Sequence, residues 1–362
     1  MLFYWFIFIV LAVSAIQGGK NNYHFSFALL LLLGATRAKT VGNDLNGDYW
    51  LEYVMMGTDS NTWGLIMHQF EFGFLWIMAK YKQYIDFNDN PLDFFHILFA
   101  FTFVFYYIYI RNVTSRPALA IFFMYAFSYY FSLYNAMRQE FCVSIILLCI
   151  LWCLYSEKKR YLLLSFFIII FSLLFHKSMM FMLLVIPVYH YYKRIPNMYL
   201  YLALIISSIF SFTLAEFAIN QMSQYAFIFD DGTSNIANYM RDQNSFGSYS
   251  NISNVLNTLF CIYCVYCSRQ NKDFFLSLYV LGIVLLNILT PINWVFQRLA
   301  FVFMFFRIFV YAYLWDNIQN KEERYVFRFA VIMLSIVMFQ NRLNADNYQD
   351  VVPYVNEYIK LE

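Results

Sequence analysis

The chain has 362 residues, of which 62% are hydrophobic and 13% charged, and its formal net charge at pH 7 is +2. Soluble domains carry about 25% charged residues, so this composition belongs to a membrane protein. The near-neutral balance excludes a basic nucleic-acid surface and an acidic tail.

In chain order, the N-terminus reads MLFYWFIFIVLAVSAIQGGK. It lacks a basic leader and is taken as a first span rather than a cleaved signal peptide. Apolar runs at 1–16, 23–36, 92–110, 117–134, 137–155, 161–175, 179–192, 198–217, 252–267, 274–290, 294–315 and 325–341 predict about 12 transmembrane helices. A further run, TWGLIMHQFEFGFLWIMA at 62–79, is apolar but carries His68 and Glu71. Lys/Arg-rich connections at RNVTSR (111–116), SEKKR (156–160), YKR (192–194), SRQNKD (268–273) and NKEER (320–324) are cytoplasmic by the positive-inside rule. Helix parity then puts all of 37–91 outside, with 62–79 as a helix lying on or dipping into the membrane. The predicted fold is an all-α polytopic membrane protein, a single integral membrane domain over 1–362. Its features are the external loop 37–91, a second large external loop at 218–251 and a C-terminal tail at 342–362.

Cysteines stand at 142, 149, 153, 261, 264 and 267, all in apolar helical segments. They read as small packing residues, not metal ligands. Walker-type phosphate loops, Gly-rich dinucleotide fingerprints and HExxH zinc pairs do not occur, and the cytoplasmic loops are too short for a nucleotide domain. No cofactor or metal is expected.

The polar residues that remain gather at the predicted outer surface. Arg37 follows the second span, and Asp44, Asp48 and Tyr49 follow in VGNDLNGDYW. Glu71 lies in the dipping segment. Asn135, Arg138 and Gln139 share one helix face at the start of a span. His176, Lys177 and Ser178 form the turn of a hairpin, Glu216 closes one span, and Gln297 and Arg298 open another. Arginines and a histidine that converge make an anion site, and the planar guanidinium fork suits a diphosphate. Asp44, Asp48, Glu71 and His176 are candidate general bases. Each residue also has an ordinary reading: cations near helix ends snorkel to headgroups, and loop acids are solvated. Arg307 lies deeper, where a structural ion pair is as good an account.

The order of these motifs resembles the EpsG family of bacterial polysaccharide polymerases, the Wzy-like proteins. It runs Arg37–x4–Gly42–x–Asp44–x4–Tyr49, an acidic dipping segment with Glu71, NAMRQ at a helix start, HKS at a hairpin turn, and a late QRLAFVFMFF with Arg298. The resemblance covers roughly 20–310. The first loop departs from a compact G-x-D-Y-x-x-Y pattern, so either Asp44 or Asp48 fills the acidic position. The resemblance implies a GT-C-like architecture in the bacterial inner membrane. It also implies a substrate of undecaprenyl-diphosphate-linked oligosaccharide repeats. The growing glycan would move onto a new lipid-linked repeat at the periplasmic face, with a chain-length regulator as a further partner. Catalytic roles then fall to Asp44, Asp48, Glu71 and His176. Diphosphate or glycan binding falls to Arg37, Asn135, Arg138, Gln139, Lys177, Ser178, Gln297 and Arg298. Rival readings are a flippase or transporter for the same lipid-linked repeat, an O-antigen ligase, and an acyl- or phosphotransferase acting on polysaccharide.

Overall fold

Apolar length sets the helices and local chemistry sets their ends. In the helix Pro91–Val113 the Asn90 side chain accepts the Leu92 N–H at 3.2 Å, proline fills the first turn, and Arg111 stands in the last. In Phe274–Leu289 the Asp273 side chain caps the Phe275 N–H in the same way at 3.1 Å. The structure is a computed structural model that describes residues 1–42, 45–57, 70–86, 90–156, 159–211, 213–214, 217, 251–268, 273–291, 294–344 and 351–358. The described residues are helical, with an isolated antiparallel bridge between Arg37 and Asn356. They divide into two compact units, Met1–Met182 with Glu322–Glu362, and Leu183–Lys321.

The first unit holds α1 (Leu2–Gln17), α2 (Gly19–Ala35), a π-helical turn (Leu45–Tyr49), α3 (Trp50–Met55), α4 (Phe72–Tyr84), α5 (Pro91–Val113), α6 (Pro117–Ala126), α7 (Tyr129–Asn135), α8 (Met137–Ser156) and α9 (Lys159–Ser172). Contacts between them define two ends. At one end Gly18, Lys20, Arg111 and Arg116 surround a common cavity. At the other, the Arg37 carbonyl meets His96 Nε2 at 2.8 Å and the Ala38 N–H donates to Val355 O at 2.9 Å. The 37–91 connection therefore leaves and returns at the same end of the unit. The predicted span 117–134 breaks into α6 and α7, bent by 60° at Ser128 (φ +65°), a left-handed conformation unusual for a residue with a side chain.

The second unit contains α10 (Val185–Tyr191), α11 (Asn197–Ile209), α12 (Asn251–Ser268), α13 (Phe274–Leu289), α14 (Trp294–Met304) and α15 (Arg307–Asn317). α13 and α14 touch backbone to backbone at Gly282, where a Cβ would lie 2.6 Å from Met304 N. Asn287 ties three helices together, donating to Ser207 Oγ at 3.1 Å and Thr258 Oγ1 at 3.0 Å. Cys261, Cys264 and Cys267 are buried along α12. The last helix, α16 (Lys321–Asn344), falls almost wholly within the first unit.

Three helical stretches, Pro91–Val113, Gln297–Asn317 and Lys321–Asn344, are long and apolar enough to cross a membrane, and α6 with α7 makes a fourth if one bent span. Five more apolar helices among the described residues are shorter. The chain is a helical multi-pass membrane protein, and twelve crossings are more than these lengths establish. At 179–192 the expected span is instead a 3-10 helix, Lys177–Leu184, followed by α10. Pro187 has no N–H to bond back to Leu183, and it falls in the first turn of α10, where that N–H has no intrahelical partner to lose. The expected membrane-lying helix at 62–79 begins at Phe72 and continues to Tyr84, while 62–69 lies outside the described residues.

Candidate functional site

Glu71 is the residue from which the site is built. It is the N-cap of α4, yet its carboxylate makes no bond to its own helix. It turns to the hairpin between α9 and the 3-10 helix, where Oε1 accepts the Lys177 N–H at 2.9 Å and lies 3.4 Å from His176 Nδ1. Lys177 opens the 3-10 helix, so Glu71 satisfies an exposed backbone donor of a neighbouring element. Oε2 accepts from Arg138 Nη1 near the start of α8.

Arg138 is fixed from its other sides as well. Its Nε donates to the Tyr49 hydroxyl at 2.8 Å, and its guanidinium lies 4.2 Å from the centre of the Phe70 ring. Phe70, Phe74 and Tyr49 belong to one apolar cluster with Phe95 and Met137. The side chains of Glu71 and Arg138 are 8% and 14% exposed. Burial alone would raise the Glu71 pKa. The nearby His176 Nδ1, the Arg138 charge and the Lys177 N–H outweigh it and hold the carboxyl below its ordinary value. Glu71 is thus an ionised anchor shared by three elements far apart in sequence.

Close backbone approach makes this junction possible. The Gly73 N–H donates to Leu174 O at 2.7 Å, and a Cβ on Gly73 would sit 2.8 Å from that oxygen. Only glycine lets the start of α4 lie so close to the hairpin.

The R-x4-G and YNAMRQ motifs meet a short way off. Arg37 is fully buried, with its guanidinium 4.2 Å from the Tyr134 ring centre and 5.6 Å from that of Phe99. Its Nη1 donates to Gly34 O at 3.4 Å and its Nη2 approaches Met137 Sδ at 3.6 Å. Gly42 (φ +105°) passes so close that a Cβ would lie 3.1 Å from Asn135 Oδ1. Asn135 itself donates to Phe131 O at 3.2 Å. Arg37 therefore braces the α7–α8 corner in an aromatic cage and presents no surface to a ligand. Gln139 is buried on α8 with Arg138, whereas Asn135 ends α7, so the three do not share one helix.

Arg138, Glu71, His176 and Lys177 are thus brought into one cluster. The Ser178 hydroxyl is buried beside the turn without a hydrogen-bond partner among the described residues. Gln297 and Arg298 are half-buried on α14 in the second unit. Asp44, Glu216 and residues 218–250 of the second large loop lie outside the described residues, as does the side chain of Asp48. Tyr49, Phe70 and Gly73 are site residues that the sequence reading did not select. Tyr49 stood in the first-loop motif, and the EFG string around Gly73 was the available signal for a close approach.

Beside the cluster runs an apolar groove of about 880 Å³ between α4, α5 and α8, lined by Trp76, Tyr81, Phe101, Phe105, Phe141 and Ile145 among others. Phe141 lies one turn beyond Arg138 and packs at 6.3 Å against Phe175, the neighbour of His176. Phe141 thus links the groove wall to the hairpin that carries His176.

A family model described as the EpsG family matches residues 20–356. No curated protein and no solved structure matches the chain significantly.

Proposed function

The chain belongs to the EpsG family, whose members are Wzy-like polysaccharide polymerases, and we propose that it joins lipid-diphosphate-linked oligosaccharide repeats at the extracytoplasmic face of the inner membrane. The observation that carries this reading is the cluster in which one carboxylate, Glu71, holds Arg138, His176 and the Lys177 backbone together. Within the cluster Glu71 and Arg138 balance formally, and the exposed side chain of Lys177 brings a further positive charge to the same turn, which suits a diphosphate.

In the proposed reaction the anomeric C–O bond to the donor's diphosphate breaks. The acceptor sugar's hydroxyl oxygen takes its place on the anomeric carbon, and the hydroxyl proton passes to a base. The leaving group departs as the lipid diphosphate with the bonding electron pair. Arg138 and Lys177 stabilise its growing charge, a kind of contact worth about 10²–10³-fold in rate. His176 is the favoured base. A proton on Nδ1 directed at Glu71 leaves Nε2 as the basic nitrogen, and the carboxylate stabilises the imidazolium that forms. Glu71, whose carboxylate is already engaged by Arg138 and the Lys177 N–H, is the less favoured base. Asp44 and Asp48 remain acidic candidates from the first-loop motif. The apolar groove offers a course for the carrier's polyprenyl tail alongside the charged cluster.

The test is reconstitution of the purified protein in liposomes with a lipid-diphosphate-linked repeat. Polymerisation gives a ladder of chain lengths and one released lipid diphosphate per bond formed. Repeats that cross the bilayer without being extended overturn the proposal in favour of a transporter. Transfer of a single finished glycan to a lipid A core acceptor overturns it in favour of a ligase.

A further inference from the structure

The cavity at the other end of the first unit takes no part in the proposed reaction. It has a volume of about 410 Å³ and lies where the α1–α2 and α5–α6 turns meet. Lys20, Arg111 and Arg116 line it, with His24, Thr114 and Ser115, and none of its described lining residues is Asp or Glu. Three cationic side chains around a small cavity give it a positive potential, which favours an anion between them. Arg111 also complements the C-terminus of α5. The other two cations stand at helix beginnings.

Two helix N-termini open onto the same space. Residues 18–20 begin α2 and residues 116–119 begin α6, helices of 17 and 10 residues, and neither start carries a side-chain cap. Their first N–H groups add partial positive charge to that of the side chains. The turn that brings them together needs glycine twice, at Gly18 (φ +66°) and Gly19 (φ +84°). No heavy atom lies within 4 Å of a Cβ position on Gly19, so the backbone faces open space. The turn is firmly held: the Gly18 N–H donates to Ser14 O at 3.0 Å, and Ser14 Oγ donates to Asn22 O at 2.9 Å. Tyr107 and His24 Nδ1 share a hydrogen bond of 2.7 Å at its rim.

We infer that this cavity binds a phosphate group. The positive-inside rule puts this end at the cytoplasmic leaflet, so an anionic phospholipid headgroup and a soluble phosphate are the two sources of that chemistry. The inference is independent of the polymerase reading, because it uses none of that site's residues.

Native mass spectrometry of the full-length protein in detergent distinguishes the sources. Phosphatidylglycerol and phosphatidylcholine serve as lipid probes and inorganic phosphate as the soluble one. A headgroup site retains phosphatidylglycerol over phosphatidylcholine. Arg116→Gln and Lys20→Gln each weaken retention about fivefold, the worth of one cation near a charged lipid. A soluble-phosphate site shows instead a phosphate adduct at millimolar concentration that the same substitutions remove. Ser115→Glu is the second variant: it changes an exposed rim residue, spares the helices, and puts a negative charge in the cavity, so it too abolishes either adduct. Equal retention of both lipids with no phosphate adduct overturns the inference. So does an adduct that survives all three substitutions.

Discussion

The two ends of the first unit handle charge in opposite ways. At the loop end a nearly buried carboxylate sits between Arg138, His176 and the Lys177 backbone, bonded to Arg138 and the Lys177 N–H and 3.4 Å from His176 Nδ1. At the basic end three cations line an open cavity with no acid among its described lining residues. The first arrangement is internally compensated, so its groups are fixed before any ligand arrives, which is what electrostatic catalysis requires. The second opens onto a cavity, where an anion is inferred to bind. The difference teaches that cation count alone does not mark a reactive site in a membrane protein. On the proposed reading, what marks it is a carboxylate placed to hold cations at fixed positions.

The largest expected effects come from removing that carboxylate's charge or the fork that binds it. Glu71→Gln keeps the shape but loses the ionic hold on Arg138 and the orientation of His176. Polymer formation by the reconstituted protein should fall about 10²–10⁴-fold. Arg138→Lys should fall about 10²-fold, because a lysine cannot donate to Glu71 and Tyr49 at once in the same geometry. Near-normal chain ladders from either variant would remove the loop-end cluster from the mechanism. Gly73→Ala comes next. Its methyl meets Leu174 O and pushes α4 from the hairpin at a cost of about 1–3 kcal/mol. The expected result is a lower melting temperature together with roughly tenfold slower polymerisation. A melting shift with unchanged rate would show that Glu71 reaches Lys177 without the close approach.

Arg37→Met sharpens the contrast between two arginines that flank the same α7–α8 corner. Arg37 holds to aromatic rings, a carbonyl and a thioether, and removing its charge should cost about 0.5–2 kcal/mol of cation–π attraction. Methionine fills much of the same volume, so the protein should fold and polymerise within about tenfold of the parent. Arg138→Met should not. Equal loss from both substitutions would return Arg37 to the substrate.

Much of this was legible in the sequence, for physical reasons that differ by region. Helices such as Pro91–Val113 and Lys321–Asn344 announce themselves because a bilayer demands long apolar runs. The joining of NAMRQ and HKS to Glu71 could be suspected because polar groups at the mouth of an apolar helix need partners. Three things were not legible. Pro187 gave warning of a break, but whether it kinks a helix or ends one depends on its neighbours in space. Arg37 looks like a ligand-binding cation in sequence, and only packing shows that Tyr134 and Phe99 enclose it. Gly73 is one glycine among eleven, and its meaning lies in Leu174, a hundred residues away.

The smallest expected effect is a pH dependence confined to the loop end. Burial and three donors act on Glu71 in opposite senses, and the net result is a pKa below the ordinary carboxylate value of about 4.3. A depressed folded-state pKa means the unfolded chain binds the proton more readily. The stabilisation is therefore complete above the ordinary value and disappears as pH falls through the folded one. Melting temperatures of the parent and of Glu71→Gln, measured side by side, should differ by a constant amount from pH 7 down to about 5. The gap should close only below about pH 4. The basic end has no carboxylate in its described lining and contributes nothing to this window, so the closing gap isolates the Glu71 cluster. A gap that instead widens as pH falls from 7 to 5 would mean that a protonated His176 carries part of the charge of the contact, and the assignment of His176 as a neutral base would fall with it.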